Sequence, residues 1–182
     1  MDERNAAISF ANQRSILKEL AGTKYAEFFW FCCCTGMRVC EALSIKGSDI
    51  HDDHIRIRMA DTKTKKHRRN VPYIPELLDG FVIKKTKLLF DDITDEGSKQ
   101  FFSRLYNNLN LDFSRHSTRH TFVSICGYVG IPPEQIQAWV GHTDIKMTRD
   151  TYTHLLEKGS SPVLDYVRKL KKVFSLPENL SP

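Results

Sequence analysis

The sequence lacks the features that would place it in a membrane or in the secreted class. Its longest apolar run, around Phe28 to Cys34, is far shorter than the roughly 20 residues that a membrane-spanning helix needs. The N-terminus has no apolar h-region, so the sequence predicts no secretory signal peptide. No internal repeat or low-complexity tract interrupts the chain. We therefore expect a cytoplasmic protein without a membrane partner.

The cysteines form no metal-binding or disulfide pattern. They are odd in number and include no C-x-x-C pair: Cys32, Cys33, Cys34, Cys40 and Cys126. Three consecutive cysteines on a helix point about 100° apart, so they cannot all face one metal or one disulfide partner. We expect buried free thiols that pack as small hydrophobic side chains, in keeping with a reducing cytoplasm.

The composition is that of one soluble globular domain. The chain has 182 residues, of which 41% are hydrophobic and 27% charged, enough for a substantial hydrophobic core. The formal net charge of +5 permits a polyanionic partner. A soluble protein that is merely basic would satisfy the same charge, so the charge alone does not identify nucleic acid as the partner.

The hydrophobic pattern predicts an α+β fold that is mainly helical. Residues His54 to Met59 alternate between apolar and basic, and Asn70 to Ile74 forms a second short strand, so a β-hairpin with a cationic tip is predicted. The predicted helices cover Ser9–Glu19, Lys24–Cys34, Met37–Leu43, Glu76–Lys87, Ser98–Asn108, Ser117–Val129, Pro133–Val140, Asp144–Thr151 and a basic tail over Ser161–Phe174.

Two separate regions carry residue types that suit phosphoryl chemistry. Arg38 follows a Thr-Gly turn and stands three residues before Glu41, close enough to pair on one helical face. Far downstream come His116, Arg119 and, beyond them, other histidines and tyrosines. Arginines suit a phosphoryl group whose negative charge grows in the transition state, and a tyrosine suits covalent attack on phosphorus. Each piece alone has a structural interpretation, such as a simple Arg38–Glu41 ion pair.

Together these segments resemble the tyrosine recombinases, the phage integrase family. Thr-Gly-Met-Arg-Val-Cys-Glu, ending at Glu41, is similar to the first family motif, and His-Ser-Thr-Arg-His-Thr-Phe, from His116, to a second. Ile-Gln-Ala-Trp-Val-Gly-His, ending at His142, resembles a third, with valine for leucine. Tyr152 follows His142 by ten residues, within Thr-Tyr-Thr-His. The other candidate tyrosines lack those flanks and are interpreted as packing residues: Tyr106, Tyr128 and Tyr166.

The resemblance implies a role for each matched residue. The catalytic residues would be Arg38, Lys63, His116, Arg119, His142 and Tyr152. Tyr152 would be the nucleophile, and His116 would assist its proton transfer. His120 would be structural. Lys63 matches the general acid of the family hairpin, although its neighbours Lys65 and Lys66 stay open as alternatives. The other hairpin cations would contact DNA: Lys65, Lys66, Arg68 and Arg69. No metal or nucleotide cofactor is implied.

The resemblance also implies an assembly on DNA. Residues 1–160 would form the catalytic domain and 161–182 a helical tail that docks on its own domain or on a neighbouring protomer. The N-terminal core-binding domain of the family is absent from this sequence. The expected partner is double-stranded DNA, bound by a homotetramer that is a monomer in isolation, with accessory DNA-bending or excision factors. The alternatives are a non-catalytic DNA-binding module and a type IB topoisomerase.

Overall fold

The computed structural model describes residues 7–52, 54–58, 68–73 and 86–141. These residues form six helices and one two-stranded sheet, so the predicted mainly helical α+β class is confirmed. The elements are α1 (Phe10–Leu20), α2 (Lys24–Thr35), α3 (Val39–Ser44), β1 (His54–Ile57), β2 (Arg69–Pro72), α4 (Asp95–Asn108), α5 (Ser117–Tyr128) and α6 (Pro133–Val140), with a 3₁₀ turn at Gly47–Asp49. Within the described ranges, no helix is long and apolar enough to cross a bilayer.

The core is built around α2, which packs against α5 and α1. Its C-terminal two turns are buried on every side, from Phe28 to Thr35. A helix that is apolar all round belongs in the interior, which explains why this segment lies at the centre of the domain. Ser9 caps α1 by accepting from the backbone N–H of Asn12, as its sequence predicts.

Four of the five cysteines are buried thiols, as predicted. Burial raises the pKa of Cys32, Cys33, Cys34 and Cys126, so these thiols are protonated and packed as apolar groups. Cys40 contradicts the prediction, because its side chain is exposed. It lies in the first turn of α3, whose buried face is provided instead by Glu41 and Ala42.

The sheet is an antiparallel pair in which Ile55 lies opposite Val71 and Ile57 opposite Arg69. Ile55, Ile57 and Val71 are buried, whereas Arg56 is exposed. The predicted alternation is therefore confirmed, and it turns one face of the hairpin towards the core. The predicted Met59 and the hairpin tip lie outside the described residues.

The start of α4 is tied to the loop that precedes α5. Thr94 caps α4 by accepting from Gly97, so the helix begins at Asp95 rather than at the predicted Ser98. The Asp95 carboxylate accepts from Arg115 at 2.5 Å, and Arg115 also donates to Ser98. This ion pair fixes the residue immediately before His116.

Several predicted helices cannot be compared with the structure. Asp144–Thr151, Ser161–Phe174 and residues 76–85 lie outside the described ranges, and residues 86 and 87 form a turn and bend. Helix α3 begins at Val39 rather than Met37, because Arg38 has extended backbone angles as its N-cap. The remaining predicted helices agree with the observed ones to within one residue at most termini.

Gly36→Ala is expected to destabilise the protein strongly. Gly36 has φ 63°, and an added Cβ would lie 2.4 Å from Cδ1 of Phe122. The left-handed conformation costs a non-glycine residue roughly 1–2 kcal/mol, and overpacking adds typically about 1–3 kcal/mol. Gly22→Ala is the matched control, since Gly22 has φ 73° but its added Cβ would meet no heavy atom of the described residues within 4 Å. Urea midpoints should fall further for Gly36→Ala; equal losses would contradict the steric argument.

Candidate active site

Arg38 is held at the entrance of α3 by a glycine turn and a carboxylate. The backbone N–H of Gly36 closes the end of α2 on the carbonyl of Cys32 at 3.1 Å, and the chain then reverses into α3. Glu41 accepts from the backbone N–H of Arg38 at 2.8 Å and from its Nη1 at 3.1 Å, which confirms the predicted pairing. Arg38 Nη2 also approaches the carbonyl of Gly141 at 3.4 Å. Its side chain is 34% exposed, so the guanidinium remains open to a ligand.

Arg119 lies deeper, at the base of the same cluster. It is 5% exposed and bridges two helix ends, donating through Nη1 to the carbonyl of Gly36 at 2.8 Å and through Nη2 to that of Val140. Burial, followed by the charges of Arg38 and Arg69, lowers the pKa of Arg119 to about 9, against the opposing effect of Glu41. The guanidinium is therefore still charged at neutral pH. Arg119 brings a fixed positive charge to the ends of α2 and α6.

His116 is the N-cap of α5, and its side chain is accessible to solvent. Partial burial lowers the pKa of His116, and the charges of Arg115, Arg119 and Arg38 act in the same direction. Helix α5 begins at Ser117, as predicted. A pKa below the usual range leaves the imidazole neutral at pH 7, so His116 can accept a proton there.

The histidine and the tyrosines that were not predicted to be catalytic lie in different environments. His120 is half-buried, and burial together with the charges of Arg119 and His116 lowers its pKa. Tyr106 is a core residue at 2% exposure, as predicted. Tyr128 is not a packing residue, since it is 70% exposed at the end of α5. Tyr166 lies outside the described residues.

Arg69 is the principal site feature that the sequence interpretation missed. Its place opposite Ile57 turns it to the buried face of the sheet, and its side chain is only 7% exposed. Nη1 and Nη2 donate to the two carboxylate oxygens of Glu41 at 2.9 and 2.8 Å. Nε donates to the carbonyl of Trp139, near the end of α6. This bidentate ion pair therefore connects the hairpin to both α3 and α6.

A signal for this position was present in the sequence. Asn70 is exposed and Val71 is buried, and because successive strand residues face opposite ways, Arg69 shares the inward face with Val71. The DNA contact assigned to Arg69 remains a prediction. What could not be read from the sequence is that Glu41 would be its partner across 28 residues.

Glu41 is the common acceptor of two arginines and balances part of their charge. Burial would raise the pKa of Glu41, but hydrogen bonds and charge from Arg69, supported by Arg38, outweigh it and lower the pKa overall. The carboxylate is therefore ionised at neutral pH. Among the four described side chains Arg38, Arg69, Arg119 and Glu41, three guanidinium charges face one carboxylate charge, which leaves these four with a net charge of +2.

The outward face of the hairpin is a second basic surface. A groove at this end of the hairpin is lined by residues of both faces: Arg56, Ile57, Arg58, Arg68, Arg69 and Asn70. Arg68 is exposed, in keeping with the predicted DNA contact. Arg58 is anchored by the buried carboxylate of Asp49. One face of the hairpin thus presents Arg56 and Arg68 to solvent, whereas the other turns Arg69 toward the core.

The structure describes half of the predicted site residues. Arg38, His116 and Arg119 come together in one cluster, where Coulomb interactions of Arg38 and Arg119 act on His116. Gly141 adopts φ 68° as the C-cap of α6, immediately before the predicted His142. The others lie outside the described residues: Lys63, Lys65, Lys66, His142 and Tyr152.

Comparisons with known proteins find similar sequences and similar folds. A probable integrase/recombinase of Acholeplasma phage L2 is 32% identical over 136 residues, covering 68% of this chain and 47% of that protein. The catalytic domain of bacteriophage HP1 integrase superposes with a TM-score of 0.66 at 23% identity, covering 82% of this chain and 88% of that one. The Tn1549 transposon integrase bound to circular intermediate DNA gives a TM-score of 0.65 at 18% identity, covering 93% of this chain and 66% of that one.

The chain spans about half the length of the curated relatives it matches. The sequence profile of the phage integrase family matches residues 2–158, most of the chain and all of the described site. The predicted resemblance is confirmed, and the chain belongs to the phage integrase family.

Proposed function

We propose that this chain is the catalytic domain of a tyrosine site-specific DNA recombinase. It cleaves a DNA strand through a 3′-phosphotyrosyl intermediate and rejoins it to a partner strand, without metal or ATP. The observation that carries this proposal is the cluster of Arg38 and Arg119 beside an accessible neutral His116, in which Glu41 balances part of the positive charge.

The cluster suits a phosphate diester that becomes more negative in the transition state. Arg38 is partly open, so its planar fork can bind two non-bridging oxygens. Arg119 is fixed by the carbonyls of Gly36 and Val140, so little reorganisation is needed when charge develops. The arginines thereby supply the charge stabilisation for which other nucleases use metal ions.

The proposed reaction has two balanced transfers. The Tyr152 hydroxyl attacks phosphorus, the phosphorus–O5′ bond breaks, and the tyrosine proton passes to His116. Lys63 protonates the departing 5′-oxygen, while Arg38, Arg119 and His142 stabilise the phosphorane-like state. A 5′-hydroxyl of the partner strand then attacks the phosphotyrosine, which releases Tyr152 and restores a phosphodiester. The bond energy is conserved in the intermediate, so no nucleotide is consumed.

Double-stranded DNA is the proposed partner. The outward face of the hairpin, with Arg56 and Arg68 exposed, suits a polyanionic backbone. The similar Tn1549 integrase was solved on DNA, which supports the same partner for this chain. We propose a cytoplasmic protein that assembles as a tetramer on DNA, with residues 1–160 as the catalytic unit and with DNA-bending or excision factors as accessory partners.

Covalent capture tests the proposal directly. The full chain is incubated with a randomised pool of nicked duplexes, in which cleavage releases a short strand and traps the protein on DNA. An adduct that resists SDS, forms in EDTA and needs no nucleotide is expected, and sequencing its DNA identifies the site. Binding without an adduct would identify a non-catalytic module. Supercoil relaxation without joint molecules would instead identify a type IB topoisomerase.

Deleting residues 161–182 is expected to spare strand cleavage but to impair synapsis. This segment carries an apolar stripe that includes Val163, Leu164 and Val167, suited to docking on a neighbouring protomer. Adduct yield and joint-molecule yield are measured for the truncated and full chains, each with a core-binding domain supplied. Unchanged joint-molecule formation would show that the tail is not needed between protomers.

A further inference from the structure

The ion pair between Arg69 and Glu41 joins three distant parts of the chain. Arg69 opens β2, Glu41 lies in the first turn of α3, and the carbonyl of Trp139 belongs to α6. The sequence separations are 28 residues to Glu41 and 70 to Trp139. All three guanidinium nitrogens of Arg69 donate to these protein groups. The hairpin, the Arg38 helix and the helix before His142 therefore share one buried anchor.

We propose that Arg69 is a positioning residue for the cleavage reaction, acting on Arg38 through Glu41 rather than on DNA. This inference rests on the proposed recombinase function. The side chain is 7% exposed, and three of the five N–H groups of its guanidinium donate to Glu41 and Trp139, so little of it is presented to a DNA phosphate. Arg38, at 34% exposure, shares the same carboxylate and is the one that can meet the phosphate.

Arg69 helps to hold the Glu41 carboxylate in the position from which it orients Arg38. Arg69 occupies both carboxylate oxygens, and Glu41 also accepts from the backbone and the guanidinium of Arg38. Without Arg69, the carboxylate loses its bidentate partner and keeps only its hydrogen bonds to Arg38 among these contacts, so it is held less firmly. Lysine offers charge without the planar fork and would restore only part of this restraint.

Arg69 also supports the turn that leads into His142. A Cβ added at Gly141 would lie 3.1 Å from Cδ, Cζ and Nε of Arg69, so the glycine backbone rests directly on that side chain. Arg38 Nη2 approaches the carbonyl of the same glycine. The loss of Arg69 therefore removes the side chain that supports Gly141, before His142, and loosens Glu41, which orients Arg38.

The test compares two nicked duplexes that differ only at the scissile phosphorus, where a methyl group replaces one non-bridging oxygen in the second duplex. One carries the ordinary scissile phosphodiester at the captured sequence, and the other a neutral methylphosphonate, which needs less positive charge from Arg38. Arg69→Ala and Arg38→Ala should each lower the saturating adduct rate by about 10²-fold on the phosphodiester. Both losses should shrink to less than about tenfold on the methylphosphonate, while duplex Kd stays within about threefold. Arg69→Lys should be intermediate.

Arg104→Ala is the matched control, because Arg104 is an exposed arginine of α4 that donates to the carbonyl of Gln100 in its own helix. It should change neither rate on either substrate. If Arg69→Ala instead weakens Kd and lowers its salt dependence at an unchanged saturating rate, Arg69 is a DNA contact and the proposal is wrong. An equal rate loss on both substrates would show a general structural role and would also overturn it.

A readout that does not need DNA separates this inference from the proposed function. In the free protein, the Nε–H resonance of Arg38 should shift and broaden in Arg69→Lys, which keeps the buried charge, and stay unchanged in Arg104→Ala. An unchanged Arg38 resonance in both variants would overturn the positioning role. If the resonance responds but the wild-type chain forms no adduct, the recombinase function fails while the coupling of Arg69 to Arg38 stands.

Discussion

Tyr152→Phe is expected to abolish the covalent protein–DNA adduct and to leave duplex affinity within about threefold. The hydroxyl is the proposed nucleophile, and phenylalanine cannot form the phosphotyrosyl bond. Affinity depends instead on phosphate contacts made by basic side chains, which the substitution leaves in place. Adduct yield on the nicked duplex is read after SDS denaturation, and Kd is measured by fluorescence anisotropy.

Tyr128→Phe is the matched control for this experiment. Tyr128 is 70% exposed at the end of α5 and lies outside the arginine cluster. The control should retain the adduct yield and Kd of the wild-type chain. An adduct formed by Tyr152→Phe would exclude Tyr152 as the nucleophile and direct attention to another hydroxyl.

Lys63→Ala is expected to slow cleavage of ordinary DNA by about 10²–10⁴-fold, the usual contribution of a general acid. A 5′-bridging sulfur makes a leaving group that needs no proton. The same variant should therefore cleave the sulfur-substituted duplex at nearly the wild-type rate. The measurement is the single-turnover adduct rate on the two duplexes.

The neighbouring lysines and Arg38 make this test discriminating. Arg38→Ala should not be rescued by sulfur, because its defect lies in stabilising the phosphate rather than in protonating the leaving group. Rescue of Lys65→Ala or Lys66→Ala, without rescue of Lys63→Ala, would assign the acid to that neighbour. If none of the three is rescued, the hairpin does not donate the proton.

Local patterns predicted the framework of the site well. The apolar run of α2 indicated a buried helix, and the Thr-Gly turn before Arg38 indicated where that helix ends. The pairing of Arg38 with Glu41 follows from three-residue spacing on one helix and was confirmed. These features depend on neighbours in sequence, so the sequence alone contains their physical causes.

The contacts that could not be predicted all join distant segments. The partner of Arg69 depends on how the hairpin packs against α3, and strand alternation gives only the face of the sheet. The Asp95–Arg115 pair likewise depends on how α4 meets the loop before α5. Charge and spacing identify such residues as candidates, but only the tertiary fold selects their partners.

The exposure of Cys40 has a practical consequence for measurement. The other four cysteines are buried and their thiols have raised pKa values, so they react poorly with maleimides. A maleimide dye should therefore label the unaltered sequence at one position, two residues from Arg38. Changes in the fluorescence lifetime of that dye would report the arrival of a duplex at the cluster in real time, without prior removal of any thiol.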